Sequence, residues 1–294
     1  MSHNKYLLFV FWFGVFVQSL QSASINQSKS SNGKTRRMVG GKYASIYAYP
    51  WTTLVISKGR CGGSIINESW ILTAAHCVNS RKTVVYYGID QHTSMSKSNQ
   101  RIVEAVYKPL KSIFNSGDIA LLKLAKPIPM NSKSNSIQLY RNRRSLIGST
   151  VSVAGFGRNN LRTDRLLFGT FKVETLFSAK RDVIAARSYR QSPCYGDSGS
   201  GLVIEESGSH FLVGVTSSIM TAGCRPNNVA LFIDVSYYYD WIVEKMNNPT
   251  DPDMEGCFVL TLPLNFKLKL CTYWLTDLFW FLWRLIRILF RILF

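Results

Sequence analysis

The chain has 294 residues, 46% hydrophobic and 18% charged, with a formal net charge of +18. This balance excludes wholesale disorder, and without a glycine period, a heptad run or a series of apolar spans it excludes collagen, coiled coil and polytopic membrane protein. Six cysteines are too few for a small disulfide scaffold but suit a secreted domain with a few bridges.

The first element reads as an export signal. Lys5 gives a positive start, and Tyr6 to Val17 is an apolar stretch too short to span a bilayer comfortably. Small residues at Ser19, Ser22, Ala23 and Ser24 place the signal peptide at 1–23, and polar Gln18 and Gln21 weigh against a retained anchor. Residues 24–37 are polar and Ser-rich, a composition that forms no core. They end in Arg36-Arg37, open to tryptic cleavage, and Met38-Val39-Gly40-Gly41 follows.

From 38 to 246 the pattern is short strands and turns. Thr52–Ile56, Thr83–Tyr87, Ile119–Leu124, Val151–Ala154, Leu202–Ile204 and Phe211–Thr216 are β-branched or aromatic runs bounded by Gly, Asn, Ser or Pro. Only Tyr237–Met246 reads as helix. Many strands at short spacing mean a sandwich or barrel. This segment holds 25 basic against 13 acidic residues. Its arginines at 141, 143, 144, 158, 162 and 165 form a solvated face or a site for a sulfated glycan or acidic partner. No motif supports nucleic-acid binding.

Residues 247–294 form an apolar and basic extension. On a helix over 274–294, Asp277, Arg284, Arg287 and Arg291 share one narrow polar stripe. Such a helix would reach roughly 31 Å, but each arginine costs about 2.5–3.5 kcal/mol at a bilayer centre, so contact along the membrane surface fits better than spanning. An apolar tail that pairs two copies, or translated non-coding sequence, fits equally well. Cys257 and Cys271 lie here, free to pair with each other or with another chain.

Three signatures carry chemistry: Leu72-Thr-Ala-Ala-His76-Cys77, Asp118-Ile-Ala-Leu-Leu-Lys-Leu124 and Cys194-Tyr-Gly196-Asp197-Ser198-Gly199. Each alone has an ordinary structural explanation: a core histidine, a turn acid, a turn hydroxyl. Together, in the order His, Asp, Ser, they resemble the trypsin/chymotrypsin family of serine peptidases, and that order separates them from subtilisin-like and α/β-hydrolase enzymes. Pro50-Trp51, Val153-Ala-Gly-Phe-Gly157 and Asp240-Trp241-Ile242 support the resemblance over 38–246.

The resemblance implies an all-β fold of two six-stranded antiparallel β-barrels with a C-terminal helix, followed here by the apolar extension. It implies a serine endopeptidase acting on proteins and peptides. Ser198 would be the nucleophile, since a serine at neutral pH needs a base beside it. His76 would be that base, and Asp118 would hold the imidazole and stabilise its cation. Gly196 and Ser198 would offer backbone N–H groups to the oxyanion. Ser217 would bond the triad acid.

It further implies a zymogen cut between Arg37 and Met38 by a trypsin-like protease, the new α-ammonium pairing with Asp197. Met38 departs from the usual Ile or Val but is apolar and adaptable. Disulfides Cys61–Cys77 and Cys194–Cys224 follow from the same likeness, as do serpin-type inhibitors as partners. The pocket would be floored by Ser192 and walled by Ser217, Ile219 and Ala230. A neutral floor argues against basic P1 residues, and Ile219 favours small or medium apolar ones. Ser200, Gly201 and Ser218 depart from the pattern and keep a second reading open, a catalytically silent homologue that binds or regulates. A membrane-active tail on a peptidase domain is a third. Asn67-Glu-Ser69 is a glycosylation sequon on the mature chain. Ile89 stands where some relatives carry a Ca²⁺-binding carboxylate, so no metal and no cofactor is expected.

Overall fold

The computed structural model describes residues 38–57, 59–78, 83–109, 116–142, 145–157, 165–175, 180–221 and 223–249, with the backbone of 257–261 and 267–271. The signal segment, the pro-segment with Arg37, Arg143, Arg144, Arg158, Arg162 and the 274–294 stretch lie outside the described residues.

Six strands close the first barrel: β2 (Thr52–Ile56), β3 (Arg60–Asn67), β4 (Trp70–Thr73), β5 (Val84–Tyr87), β6 (Gln100–Tyr107) and β7 (Ala120–Leu124), in the order β2-β3-β4-β7-β6-β5. A short β1 (Lys42–Tyr43) precedes them and joins the second barrel. That barrel runs through β9 (Thr150–Gly155), β10 (Leu167–Glu174), β11 (Val183–Arg187), β14 (Val229–Asp234), β13 (Ser209–Ile219) and β12 (Gly201–Glu206), with β9 closing onto β10. A two-residue β8 (Gln138–Leu139) lies parallel to β13. Closure leaves neither barrel with a long unpaired edge.

Side-chain alternation explains why these segments are strands. Along β10, Leu167, Gly169, Phe171 and Val173 point inward while Thr170 and Lys172 face water. The inner residues of each barrel pack on one another, Val55, Ile65, Leu72, Val85 and Leu121 in the first and Val153, Phe171, Leu202, Val213 and Phe232 in the second. The chain ends its domain in helix α1 (Val235–Asn247), whose Ile242 and Tyr238 are buried. Beyond it, β15 (Cys257–Thr261) pairs antiparallel with β16 (Lys267–Cys271), and the register sets Cys257 opposite Cys271. Among the described residues no helix is long and apolar enough to cross a membrane.

Candidate active site

Strand pairing brings His76 and Asp118 together across 42 residues of sequence. β4 and β7 run antiparallel with Thr73 opposite Ala120, so the exit of one and the entry of the other share an edge. His76 sits just past that exit, in a single 3₁₀ turn (Ala75–Cys77), and Asp118 just before that entry. The Cys61–Cys77 disulfide anchors this turn to β3.

The Asp118 carboxylate lies 2.9 Å (Oδ2) and 3.0 Å (Oδ1) from His76 Nδ1, and Oδ1 also accepts the His76 backbone N–H at 3.0 Å. Ser217 Oγ donates to Oδ2 from β13 of the second barrel. Burial pushes this carboxyl up, but hydrogen bonds from His76 and Ser217 and the imidazole's charge outweigh it and hold the pKa below the usual carboxylate range. The His76 side chain is 46% exposed and that of Asp118 16%, so the acid is sheltered while the imidazole faces the cleft.

Ser198 stands on the turn that enters β12. Gly62 N–H of the first barrel donates to Ser198 O at 2.7 Å, and Gly199 N–H donates to Thr216 O at 2.7 Å, so both barrels fix this turn. Gly196 and Gly199 adopt φ of +94° and +82°, left-handed values that suit glycine. Among the described residues the N–H groups of Gly196 and Ser198 are not spent on other hydrogen bonds. Asp197 points the opposite way. It is fully buried and accepts N–H bonds from Gly157 and Cys194, each 2.9 Å. A methyl group on Gly157 would meet its Oδ2 at 2.3 Å, so glycine there makes room for the carboxylate.

Met38 is also buried, 2% exposed, among core residues of the second barrel, and Val39 exchanges backbone hydrogen bonds with Ser192 at 2.8 and 3.1 Å.

His76 and Ser198 line one cleft of about 400 Å³ with Tyr195, Ser217, Ser218, Ile219 and Met220. The Cys194–Cys224 disulfide braces its wall. No acidic side chain lines this cleft among the described residues. Ser192 and Ala230, expected at the pocket floor and wall, are fully buried and do not line it. Ser192 Oγ turns onto its own neighbour, Pro193 O, and Pro193 presents itself to the cleft instead. Ala230 packs into the barrel core, paired with Ile219 on one side and Ala186 on the other.

The departures at 200 and 201 fall behind Ser198. Ser200 is buried against Gly62 and Gly155, and a side chain at 201 would meet Leu212 and Ser64 at 2.5 Å. Asn67 lies at the β3–β4 turn, its Oδ1 accepting Ser69 N–H at 2.9 Å. Arg141 stacks on Tyr239 at 5.2 Å and Arg165 on Tyr43 at 5.5 Å.

Sequence reading overlooked Asp182, which the structure buries completely behind Asp118. Its signal was present: like Asp118, it is an acid at the head of an apolar run, Val183-Ile-Ala-Ala186.

Residues 38–242 match the family model described as Trypsin. Over 244 residues the chain is 31% identical to coagulation factor IX of Oryctolagus cuniculus, covering 74% of this chain and 88% of that protein. The barrels, the sheltered His–Asp contact and these matches agree: the chain belongs to the trypsin family of serine peptidases and is a serine-type endopeptidase.

Proposed function

We propose that the protein is a secreted zymogen, cut after Arg37, that hydrolyses peptide bonds through His76, Asp118 and Ser198. The contact of His76 Nδ1 with the Asp118 carboxylate, in a cleft that Ser198 also lines, carries this reading. Nδ1 bonded to a carboxylate leaves Nε2 as the base. Nε2 takes the Ser198 proton as Oγ bonds the substrate carbonyl carbon, and the N–H groups of Gly196 and Ser198 receive the oxyanion. The imidazolium returns the proton to the departing amine, leaving an acyl-enzyme. Water, activated by the same imidazole, then releases the acid and restores Ser198.

Activation follows from Met38. With its side chain already seated in the core and Val39 bridged to Ser192, cleavage after Arg37 would free an α-ammonium close to the chain segment that Asp197 serves. Asp197 is fully buried and accepts N–H bonds from Gly157 and Cys194, and an ammonium beside it would add a charge-assisted partner to that carboxylate. Ile219 and Met220 in a cleft without acidic groups favour small or medium apolar P1 residues. The Asn67 sequon, half-buried at a turn whose Glu68 is exposed, is the glycan site of this reading. Because Ser200 is directed away from the cleft, the active reading is favoured over the silent one.

Covalent labelling by a serine-hydrolase phosphonate tests this. The chain cut after Arg37 is expected to react, whereas the uncut chain and Ser198→Ala are not. A folded, cut wild type that stays unlabelled would overturn the reading in favour of a silent homologue.

A further inference from the structure

The first barrel presents Asp118, yet the residues just ahead of it are held from the second. Asp182, at the entry to β11, is 0% exposed, and among the described residues no cation pairs with it. Its carboxylate is satisfied by neutral donors. Oδ1 accepts Ser116 N–H at 2.9 Å. Oδ2 accepts Ser116 N–H at 2.7 Å, Ser116 Oγ–H at 2.9 Å, Gly117 N–H at 3.3 Å and the Tyr238 hydroxyl at 2.8 Å. Ser116 Oγ in turn accepts Asp118 N–H at 3.3 Å. One buried anion therefore gathers two successive peptide groups and a hydroxyl from the segment that delivers the triad acid, and a phenol from helix α1. Gly117, at φ +56°, turns the chain so that both amides face it.

We infer that Asp182 is a positioning residue for the triad: it fixes the 116–118 backbone, and through it the direction in which the Asp118 carboxylate meets His76. The chemistry favours an anion over an amide at this point. A carboxylate is acceptor-only and welcomes several donors, whereas an asparagine would aim its own N–H₂ at one of them. The link also crosses between barrels, so the acid's aim depends on how the second barrel sits against the first. A peptide carbonyl or a base displaced by about 1 Å can cost on the order of a hundredfold in rate. The inference rests on the triad reading above.

The test uses the full chain, cut after Arg37, as Asp182→Asn, Ser116→Ala, Asp234→Ala and Ser198→Ala. Tyr238 is no control, because its hydroxyl also meets the Gly117 backbone; Asp234→Ala, which removes the side-chain cap on Ser236 N–H at the start of helix α1, serves as the control for lost stability. Asp182→Asn and Ser116→Ala are expected to lower kcat by about tenfold or more with KM changed less than about twofold. They are also expected to shift the downfield proton resonance of the His76 Nδ1–H bond, while Asp234→Ala lowers the melting temperature and leaves both readouts in place. Wild-type kcat and an unshifted resonance in Asp182→Asn would overturn the inference. Should Asp182→Asn not fold, Ser116→Ala decides by the same two readouts. Activity retained by Ser198→Ala would instead overturn the triad reading itself.

Discussion

Asp118 is held by three donors of different origin: the His76 ring, the His76 backbone and Ser217. Together they bring the carboxyl's pKa below its ordinary value despite burial, which raises it. The sign of the stability effect follows. A depressed folded pKa contributes stability that is present above the unfolded carboxylate range and is lost as pH falls through the folded value. Urea midpoints measured from about pH 6 down to about pH 2 should therefore show an acid limb that flattens in Asp118→Asn. In Ser217→Ala the carboxyl loses a donor that favours its charged form, so that limb should move to higher pH. An unmoved limb in Ser217→Ala would mean that the Ser217 hydrogen bond contributes nothing to holding the anion.

At the scale of elements, helix α1 shows how one residue defines a boundary. Asp234 has extended backbone and its carboxylate accepts Ser236 N–H at 2.8 Å, satisfying an amide that the helix cannot reach. Asp234→Ala should cost about 1 kcal/mol, read as a lower denaturant midpoint at unchanged slope. This cap also explains why the helix starts two residues before the Tyr237 expected from apolar spacing. β2 was legible to the residue because Thr52–Ile56 is a β-branched run with four of its residues buried. β6 escaped notice because only Tyr107 of its eight residues is buried, with Arg101 and Glu104 interrupting the apolar signal. β3 was hidden by Gly62-Gly63, which reads as a turn yet lies mid-strand. For the site, each of His76, Asp118 and Ser198 stands in a short local signature. Ser116 and Tyr238 do not, and they meet Asp182 across 66 and 56 residues, a proximity that barrel topology sets and local pattern cannot reveal.

For the molecule as a whole, the proposed mechanism needs His76 of one barrel and Ser198 of the other in register, and Gly62 joins the two. Its N–H holds Ser198 O, and its own carbonyl accepts the Thr73 Oγ1 hydroxyl at 2.7 Å, so the Ser198 turn is tied to the strand pair that leads to His76. The approach is close enough to exclude a side chain. A methyl on Gly62 would lie 2.1 Å from Ser200 Oγ and 2.9 Å from Ser200 N and Cα. The hydroxyl can rotate away; the backbone atoms cannot. Gly62→Ala must therefore part the barrels at this seam and draw Ser198 from His76. The expected result is a loss of about 1–3 kcal/mol in stability and on the order of a hundredfold in kcat/KM. Adding Ser200→Gly removes the hydroxyl but not the backbone contact, so the double variant should recover part of the loss, and the cycle of four proteins measures how much the seam couples. Full recovery would place the whole clash on the Ser200 side chain. Wild-type activity in Gly62→Ala would show instead that the barrels yield freely at this seam, and that the register of base and nucleophile is held somewhere else.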